Sequence, residues 1–591
     1  MNPQTYGSKL SSDLQASAST ALSAVNQAGQ SAAERTTDPP GGILGAMARW
    51  PKLTLCLLTL ASLLPFSGKA IHIDDPLFLW TAQHIAQHPL DPYGFTAFWW
   101  NRPTPMWHVQ QNPPLAAYYL AVIGSIAGWS ERALHLGFLL PAMVVVLGTY
   151  RLARRFTRRA FLAAAATLAA PGFLISATTL MCDVSMLALW MLALVFWIEG
   201  LDEPVKPIYL ALSSFLIGTC ALTKYFGVSL IPLLFVYSWF RQRSLRRWIA
   251  YLAIPLLMLG GYELYTAHLY GHGHIAEAAS YQSTVRQQEG RSGRALVGLA
   301  FLGGCALPAL TFIPFLWSRR QILWLATASG LLALFFWSGW IDLGSVYQYE
   351  TWLHANRPWI AMQLFFYVAG GLSILALTIV DYWEKRDTVS LVLILWIFGT
   401  LLFALVLNWT VNARSLLPMV PAAAILIARR LDALNKATTT WHCALVIPLV
   451  ISGAISLWVA AADMAIANTA RTAANYIHEK TRDDFSRPWF QGRWGFEYYM
   501  ESFGARPLEP EAQDCKFGDL VIIPKYNTSL FKFPLKTTKA EIVDFEVHTW
   551  AATMNPDAGA GFYFSGWGPL PFVFGPVPAQ RYLMARVLQA P

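Results

Sequence analysis

Long apolar runs, separated by short polar or charged stretches, fill the chain from about residue 43 to residue 463. Most of these runs have the length, about 17 to 25 residues, that an α-helix needs to cross a bilayer. Thirteen candidate spans fit this pattern. They are residues 47–69, 131–150, 160–178, 184–200, 207–222, 226–240, 248–268, 296–316, 321–340, 359–380, 389–407, 415–431 and 441–463. The pattern predicts an all-α polytopic membrane protein over this part of the chain.

The composition supports the same class of protein. Hydrophobic residues make up 55% of the 591 residues, charged residues only 13%, and the mean hydropathy is +0.40. A soluble domain carries about 25% charged residues, so an ordinary soluble protein is excluded. The six cysteines show no paired spacing, and we therefore expect no disulfide framework.

Lysine and arginine residues gather in the loops that follow the even-numbered spans. The clusters are RLARRFTRR (151–159), RQRSLRR (241–247), WSRR (317–320), WEKRD (383–387) and ARRLDALNK (428–436). Cytoplasmic loops of membrane proteins carry an excess of basic residues, so we place all these loops in the cytoplasm. Counting the apolar stretch 113–129 as a span would reverse this orientation. We therefore predict that it forms a helix lying at the outer interface.

The two ends of the chain differ from its apolar centre. Residues 1–42 are rich in Ser, Ala, Gln and Thr, which predicts a disordered cytoplasmic tail that lacks the layout of a cleavable signal. Residues 464–591 contain the helix-like segments RTAANYIHEKTR and GFEYYMESFG and the strand-like segments GDLVIIPKY, AEIVDFEVHTW and RYLMARVLQ. We predict a small extracytoplasmic α/β domain there, so that residues 43–463 form the membrane domain.

Ionisable residues lie at the edges of several spans on the predicted non-cytoplasmic side. An ionisable group at such an edge costs less than the ~2.5 to 3.5 kcal/mol that it costs at the bilayer centre. A cluster of them is therefore a candidate site for a substrate that lies in the membrane. The residues concerned are Asp74, Asp75, Asp183, Lys224, Arg357 and Arg414.

Carboxylates and cations at one membrane edge suit a lipid-linked phosphate as substrate. Fixed cations can hold phosphate oxygens while a carboxylate removes a proton from an incoming nucleophile. Asp74 or Asp75 would be the base. Lys224, together with Arg414 or Arg357, would hold the phosphate.

Each of these residues also has a purely structural interpretation. Asp74 and Asp75 precede Pro76, a typical first-turn residue, and could cap the helix that follows. Asp183 could form a structural ion pair. Lys224 could extend its ammonium to lipid head groups. The sequence leaves these alternatives open.

Five motifs follow one another in an order that is characteristic of a known family. They are HIDDPLFLW (72–80), QNPPLAAYYL (111–120), TTLMCDVSML (178–187), ALTKYFGVSL (221–230) and NARSLLPMVP (412–421). Over about residues 45 to 465, this succession resembles the integral-membrane glycosyltransferases of the protein O-mannosyltransferase and aminoarabinose-transferase superfamily.

The resemblance implies a GT-C-like fold with many transmembrane helices and a large first outer loop, here residues 70–114. It also implies a polyprenyl-phosphate-linked sugar as donor, inversion at the anomeric carbon, and a lipid, glycan or protein hydroxyl as acceptor. Asp74 corresponds to the family's base, Asp183 to its second acidic position, and Lys224 to a lysine near the lipid phosphate. Where the family often has a lysine, this chain has Asn112, and Arg102 could supply the missing charge.

Two other functions fit parts of the pattern. A transporter or flippase of lipid-linked sugars also needs outward charges, but it predicts internal repeats and ionisable groups near span midpoints, which we do not find. A non-catalytic membrane scaffold would not need the acidic pair and the ordered cations. The family resemblance favours a bacterial inner membrane with the site facing the periplasm, and the endoplasmic reticulum is the second choice. The expected partners include membrane lipids and no nucleic acid.

Two histidine pairs raise the question of a metal ion. His84 and His88 are four residues apart, and His272 and His274 form an HGH triplet. Neither pair supplies a complete ligand set, so we assign no metal ligands. A divalent ion could still assist at the carboxylates as a cofactor.

Overall fold

The computed structural model describes residues 49–588, except 244–246, 287–292, 342–349, 435–443, 483–487 and 512–513. The predicted N-terminal tail and Cys443 lie outside the described residues. By its internal contacts the chain divides into two units, Met1–Thr54 and Leu55–Pro591. The first unit is described only over residues 49–54.

Helices make up most of the described chain up to residue 480. The first half contains α1 (Pro51–Leu63), α2 (Asp75–Gln87), α3 (Met106–Val109), α4 (Leu115–Ala127), α5 (Glu131–Phe156), α6 (Ala160–Leu168), α7 (Pro171–Ser176), α8 (Cys182–Gly200), α9 (Pro207–Thr223), α10 (Leu230–Gln242), α11 (Trp248–Tyr251), α12 (Ala253–Tyr270) and α13 (His274–Arg286). The short hairpin β1 (Thr96–Trp99) and β2 (Arg102–Pro105) lies between α2 and α3.

The second half continues the helical array. It contains α14 (Arg294–Cys305), α15 (Pro308–Thr311), α16 (Ile313–Leu316), α17 (Arg319–Trp337), α18 (Glu350–Lys385), α19 (Thr388–Leu402), α20 (Ala413–Leu416), α21 (Met419–Ala433) and α22 (Val446–Lys480). Short 3₁₀ or π segments occupy Leu64–Phe66, Tyr225–Ser229 and Phe403–Leu407.

Over the described residues, each of the thirteen predicted spans contains helical structure. In the described part of the chain, seven helices are long and apolar enough to cross a membrane by length and composition. Two predicted spans are broken where a proline begins the next helix, at Pro171 in α7 and Pro308 in α15. Proline lacks the amide hydrogen that would continue the preceding helix. The stretch predicted to lie at the interface forms α4, and its placement stays a prediction.

The last long helix, α22, runs for 35 residues and ends at Lys480. The predicted limit between the membrane part and the C-terminal part, at residue 463, therefore lies inside a helix. Its predicted helical continuation, RTAANYIHEKTR, is confirmed up to Lys480.

The C-terminal part contains a mixed sheet of five strands in the order β4, β3, β5, β11, β6. The strands are β3 (Trp489–Phe490), β4 (Arg506–Pro507), β5 (Leu520–Pro524), β6 (Glu541–Phe545) and β11 (Gln580–Arg586), with α23 (Trp494–Ser502) between β3 and β4. Strand β11 pairs antiparallel with both β5 and β6. All three predicted strands and the predicted helix α23 are present, which confirms an α/β region at this end.

A second strand-rich stretch connects the C-terminal part to the helices. It holds β7 (Ala551–Ala552), β8 (Met554–Asn555), β9 (Ala560–Gly561) and β10 (Val573–Phe574). The amide of Ala413 donates to the carbonyl of Phe562 at 2.9 Å, and the amide of Ser565 donates to the carbonyl of Val411 at 3.0 Å. These two hydrogen bonds fix the loop that carries Tyr563 beside α20.

Candidate functional site

The acidic pair of the first outer loop lies where α2 begins. Asp74 occupies the position before the helix, and Asp75 is its first residue. Ile73, directly before the pair, has a φ of 48°, a conformation that is strained for a β-branched side chain. The Asp74 side chain makes no capping hydrogen bond with α2. Helix capping therefore does not account for Asp74.

The side chain of Asp74 points to a cation from a distant part of the chain. Its Oδ2 lies 2.9 Å from Nη2 of Arg414, which is carried by the one-turn helix α20. Asn412 caps α20 by accepting a hydrogen bond from the amide of Ser415 at 2.8 Å. The local sequence NARS thus builds the short helix that presents Arg414 to Asp74.

Two further predicted residues complete this group. Asp183 lies in the first turn of α8, and Lys224 directly follows α9. Lys224 Nζ contacts Asp183 Oδ1 at 2.5 Å, and Arg414 Nη1 lies 3.9 Å from Asp183 Oδ2. We call Asp74, Asp183, Lys224 and Arg414 the Arg414 cluster. The structure thus brings together four predicted residues from four separate segments.

The members of the Arg414 cluster differ in how far solvent reaches them. The side chain of Asp74 is 28% exposed, whereas that of Asp183 is 1% exposed. Lys224 and Arg414 are partly exposed. An external ligand can therefore reach Asp74 and the two cations, while Asp183 stays buried and holds the cations in place.

Two buried polar atoms of the Arg414 cluster lack a hydrogen-bond partner among the described residues. They are Oδ2 of Asp183 and Nε of Arg414. Buried polar groups are nearly always hydrogen-bonded in folded proteins, and exceptions need an explanation. An anionic ligand that accepts a hydrogen bond from Nε of Arg414 explains the unpaired donor, while Oδ2 of Asp183 faces the guanidinium of Arg414 at 3.9 Å.

Asp75 faces away from this cluster and is fully buried. Its Oδ1 accepts a hydrogen bond from the amide of Leu180 at 2.8 Å, and its Oδ2 accepts one from the amide of His72 at 3.1 Å. Burial raises the pKa of Asp75 to about 7, against the opposing effects of the Lys69 charge and the two amides. Asp75 therefore ties the first outer loop to the segment before α8, and its catalytic role stays a prediction.

A second polar group surrounds Asp463 and lies next to the Arg414 cluster. The sequence analysis did not predict it. Asp463 of α22 accepts hydrogen bonds from Lys69 at 2.5 Å, Tyr563 at 2.8 Å and Thr553 at 2.6 Å. The ring of Tyr563 lies 6.0 Å from Cζ of Arg414, within range of a cation–π contact. The Asp463 group thus helps to position Arg414 through the ring of Tyr563.

A signal for this second group was present in the sequence. Asp463 interrupts an apolar run, and a carboxylate inside such a run is a functional candidate by itself. Tyr563 lies in a Gly-rich aromatic stretch whose partner, about a hundred residues earlier, no sequence spacing reveals.

Aromatic residues flank the Asp74 side of the cluster. Trp100, at the tip of the β1–β2 hairpin, stacks on Tyr281 of α13 with ring centroids 6.2 Å apart. Burial raises the pKa of Tyr281, and the negative charge of Asp74 adds to this shift. Trp100 is 40% exposed. The pair therefore presents an accessible aromatic face near Asp74.

Three predicted residues lie apart from the Arg414 cluster. Arg357 donates from Nε to the carbonyl of Phe336 at 2.8 Å. Arg102 is exposed on β2, and Asn112 donates to Oε1 of Gln110 at 3.2 Å. Within the described parts of the chain, none of the three makes a hydrogen bond or ion pair with the cluster. Their proposed contacts with a donor phosphate stay predictions.

Comparison with known proteins finds a family model that matches part of this chain. A family model described as dolichyl-phosphate-mannose-protein mannosyltransferase matches residues 111–260, a stretch that includes Asp183 and Lys224. No curated protein sequence matches the chain.

Two solved structures are similar to this chain. One is ArnT from Cupriavidus metallidurans bound to undecaprenyl phosphate, with 13% identity and a TM-score of 0.41, covering 82% of this chain and 94% of that chain. The other is the archaeal oligosaccharyltransferase AglB from Archaeoglobus fulgidus in complex with an inhibitory peptide and a dolichol-phosphate. It shows 14% identity and a TM-score of 0.43, covering 78% of this chain and 64% of that chain. The family match confirms the predicted resemblance to the protein O-mannosyltransferases over residues 111–260.

Proposed function

We propose that this chain is an integral-membrane glycosyltransferase that moves a sugar from a polyprenyl-phosphate donor to an acceptor hydroxyl on the non-cytoplasmic side. The observation that carries the proposal is the convergence of Asp74, Asp183, Lys224 and Arg414 from four segments of the chain. One exposed carboxylate beside two cations is the minimum set for this reaction. The acceptor is a lipid, glycan or protein hydroxyl.

The two cations serve the leaving group. When the bond between the anomeric carbon and the phosphate oxygen breaks, the lipid phosphate departs as an anion. Lys224 and Arg414 stabilise the developing charge on the phosphate oxygens. A phosphate leaves without being protonated, so no second carboxylic acid is required, in contrast to a glycosidase. Asp183, buried between the cations, keeps them at a fixed spacing.

Asp74 serves the acceptor. It removes the proton of the acceptor hydroxyl while that oxygen forms the new bond to the anomeric carbon, on the face opposite the departing phosphate. The result is inversion at that carbon. Of the two adjacent carboxylates, only Asp74 is exposed enough to reach an acceptor, because Asp75 is buried and engaged by two amides. The exposed ring of Trp100 offers a face on which a sugar ring can stack.

A flippase of lipid-linked sugars is the alternative function. The buried Lys69–Asp463 ion pair, inside the helical array, is of the kind that transporters use. The two functions differ in their product. A transferase forms a new glycosidic bond and releases free lipid phosphate, whereas a flippase moves the intact donor across the bilayer.

The test uses the purified chain in vesicles with a panel of radiolabelled polyprenyl-phosphate sugars and an envelope extract as acceptor source. Asp74→Asn should lower the rate of sugar transfer by the ~10²- to 10⁴-fold typical of a lost general base. The matched control is Asp202→Asn, because Asp202 is also a partly exposed carboxylate paired with an arginine, Arg155, at 2.6 Å. The control should transfer at the wild-type rate.

Three results would overturn parts of this proposal. Donor movement across the vesicle without any new glycosidic bond would replace the transferase by the flippase. Wild-type transfer by Asp74→Asn would remove Asp74 from the role of base. Transfer with retention of the anomeric configuration would exclude a single displacement.

A further inference from the structure

Three side chains that can bind metal, none of them a member of the Arg414 cluster, converge near the first outer loop. His108 of α3, His272 in the turn after α12 and Glu277 of α13 have ligand atoms that all lie within 4.8 Å of one another. His108 Nδ1 lies 2.8 Å from Glu277 Oε1, and His272 Nε2 lies 3.9 Å from Glu277 Oε2. Each carboxylate oxygen thus faces a different imidazole.

The backbone around these three residues is held in place by hydrogen bonds. His274 Nε2 lies 2.7 Å from the carbonyl of Gln110, which ties the turn that carries His272 to the end of α3. Glu263 accepts hydrogen bonds from the amides of Ile275 at 2.7 Å and Ala276 at 3.2 Å, and so fixes the start of α13. The three ligands are therefore arranged before any ion binds, which favours a defined site.

Gly273 makes this arrangement possible. A Cβ atom at this position would lie 2.0 Å from carboxylate atoms of Glu263. Any other residue would push Glu263 away from the start of α13. The glycine in the HGH triplet thus leaves room for the Glu263 carboxylate at the start of α13.

The histidines of this turn have separate tasks. Besides the carbonyl of Gln110, His274 contacts the hydroxyls of Tyr225 at 2.7 Å and Tyr262 at 3.0 Å, so both of its ring nitrogens are engaged. Of the HGH pair considered from the sequence, only His272 faces Glu277. The other pair, His84 and His88, stacks its rings with centroids 4.8 Å apart. The missing ligand is His108, which lies 169 residues before Glu277 in the chain.

We propose that His108, His272 and Glu277 form a binding site for a divalent transition-metal ion, with Zn²⁺ the best fit. Two imidazoles and one carboxylate are a common set of zinc ligands, and a fourth position stays open for water. Ligands at about 2.0 to 2.2 Å from a tetrahedral ion lie roughly 3.4 Å from one another. The two imidazole nitrogens lie 2.8 and 3.9 Å from different oxygens of Glu277, and the ligand atoms all lie within 4.8 Å of one another, so small side-chain rotations bring them to this spacing.

The chemistry of the ligands also discriminates between ions. Mg²⁺ and Ca²⁺ prefer oxygen ligands, whereas imidazole nitrogen suits Zn²⁺ and its neighbours in the transition series. All three side chains are partly exposed, so an ion can enter from solvent. A bound ion would join the first outer loop to α13. Through Tyr281 of α13, it would also steady the aromatic face at Trp100.

The proposal is tested with the full chain in detergent, with any affinity tag removed, after treatment with EDTA. The protein is then equilibrated with Zn²⁺ alone, and bound metal is measured after gel filtration. Wild type should retain about one Zn²⁺ per chain, the count for a single mononuclear site. His108→Ala and Glu277→Gln should each weaken binding at least about tenfold, as expected for a lost ligand. His88→Ala is the matched control and should bind as wild type does.

Two further measurements keep the outcome decisive if a variant folds poorly. Co²⁺ bound to the wild-type protein should give the visible absorption of a tetrahedral site, and Zn²⁺ should abolish it by competition. Zn²⁺ should raise the melting temperature of wild type and leave that of His272→Asn unchanged. Failure of wild type to bind Zn²⁺ stoichiometrically would overturn the proposal. Unchanged Zn²⁺ binding by the three ligand variants, His108→Ala, His272→Asn and Glu277→Gln, would also overturn it. Loss of binding in His88→Ala alone would move the site to the His84 pair. None of these readouts depends on sugar transfer.

Discussion

Two groups of paired charges in this protein contain the same types of residue. They differ in whether all their polar atoms have hydrogen-bond partners. One is the Arg414 cluster. The other, which we call the Arg429 cluster, consists of Asp381, Lys385, Asp387 and Arg429 and lies at loops predicted to be cytoplasmic. Each group holds an arginine between two carboxylates, with a lysine beside one of them.

The arginine of the Arg429 cluster uses all its nitrogens. Its Nε donates to Asp381 at 3.0 Å, its Nη1 to the carbonyl of Phe156 at 3.3 Å, and its Nη2 to Asp387 at 3.1 Å and Ser390 at 3.0 Å. In the Arg414 cluster, Nε of Arg414 and Oδ2 of Asp183 have no hydrogen-bond partner among the described residues. A complete network stabilises the fold, whereas an incomplete one near solvent can bind a ligand. The following predictions test this difference.

The largest contrast is expected from removing each arginine. Arg429→Met leaves two carboxylates near a single lysine, and breaking a buried ion pair costs about 3 to 5 kcal/mol of stability. The yield of folded protein should fall, while transfer per folded molecule stays unchanged. Arg414→Met should instead lower kcat about 10²- to 10³-fold, the cost of a lost transition-state donor. Its stability loss is smaller, because Asp74 reaches solvent and Asp183 keeps Lys224.

These two effects are separated by measuring the melting temperature and the single-turnover transfer rate on the same samples. Arg414→Lys, which keeps the charge, should recover part of the rate. A normal transfer rate in Arg414→Met would contradict a catalytic role of the Arg414 cluster. A lost transfer rate in well-folded Arg429→Met would contradict a purely structural role of the Arg429 cluster.

The pH dependence of stability should separate the two adjacent carboxylates. Burial raises the pKa of Asp75 from 3.8 to about 7, so the folded state holds this proton more tightly than the unfolded chain does. The contribution of Asp75 to stability is therefore most favourable below pH 4, and it becomes unfavourable as the pH rises towards 7. The full change is at most roughly 4 kcal/mol.

Melting curves between pH 4 and pH 8 test this expectation. Wild type should lose stability relative to Asp75→Asn as the pH rises, and transfer at neutral pH should suffer less from Asp75→Asn than from Asp74→Asn. A stability difference that does not vary with pH would mean that Asp75 does not change its ionisation in this range.

The lysines of the two groups should differ in their effect on donor use. Lys224→Met removes one of two cations from the proposed phosphate site, and a hydrogen bond to a charged group contributes about 1.5 to 3 kcal/mol. We expect the KM for the donor to rise about 10- to 100-fold. Lys385→Met is the matched control, since Lys385 also pairs with a buried aspartate, Asp381, at 2.9 Å. Initial rates over a range of donor concentrations give the KM of each variant, and equal KM values in the two variants would contradict the phosphate role of Lys224.

The smallest effect is expected from a change in Tyr563, which belongs to the Asp463 group. Tyr563→Phe keeps the ring beside Arg414 but loses the hydrogen bond to the Asp463 carboxylate, which contributes about 1.5 to 3 kcal/mol, and only part of this loss reaches Arg414. We expect kcat to fall about fivefold with an unchanged donor KM, the mark of a residue that positions Arg414. Tyr563→Leu, which also removes the ring, should fall further. If Phe and Leu have the same effect, the ring does not contribute to positioning Arg414.

The sequence located the helices because each span is a continuous apolar run, a signal that is local and strong. It also pointed to four members of the Arg414 cluster, because a charge at the edge of an apolar span is costly and stands out against its neighbours. The C-terminal strands followed from β-branched and aromatic runs in the same way. Their pairing order, with β11 between β5 and β6, was beyond such a local signal.

The tertiary structure alone decided which of these residues meet. Asp74 and Arg414 are 340 residues apart, and no periodicity relates them. It also separated Asp74 from Asp75, since adjacent residues at a helix start point in different directions and only packing determines which becomes buried. Lys69, Asp463 and Tyr563 joined the site through contacts between the first loop, the last long helix and the C-terminal part. The sequence specifies the chemistry of each side chain, whereas the burial of a side chain and its contacts depend on the whole fold.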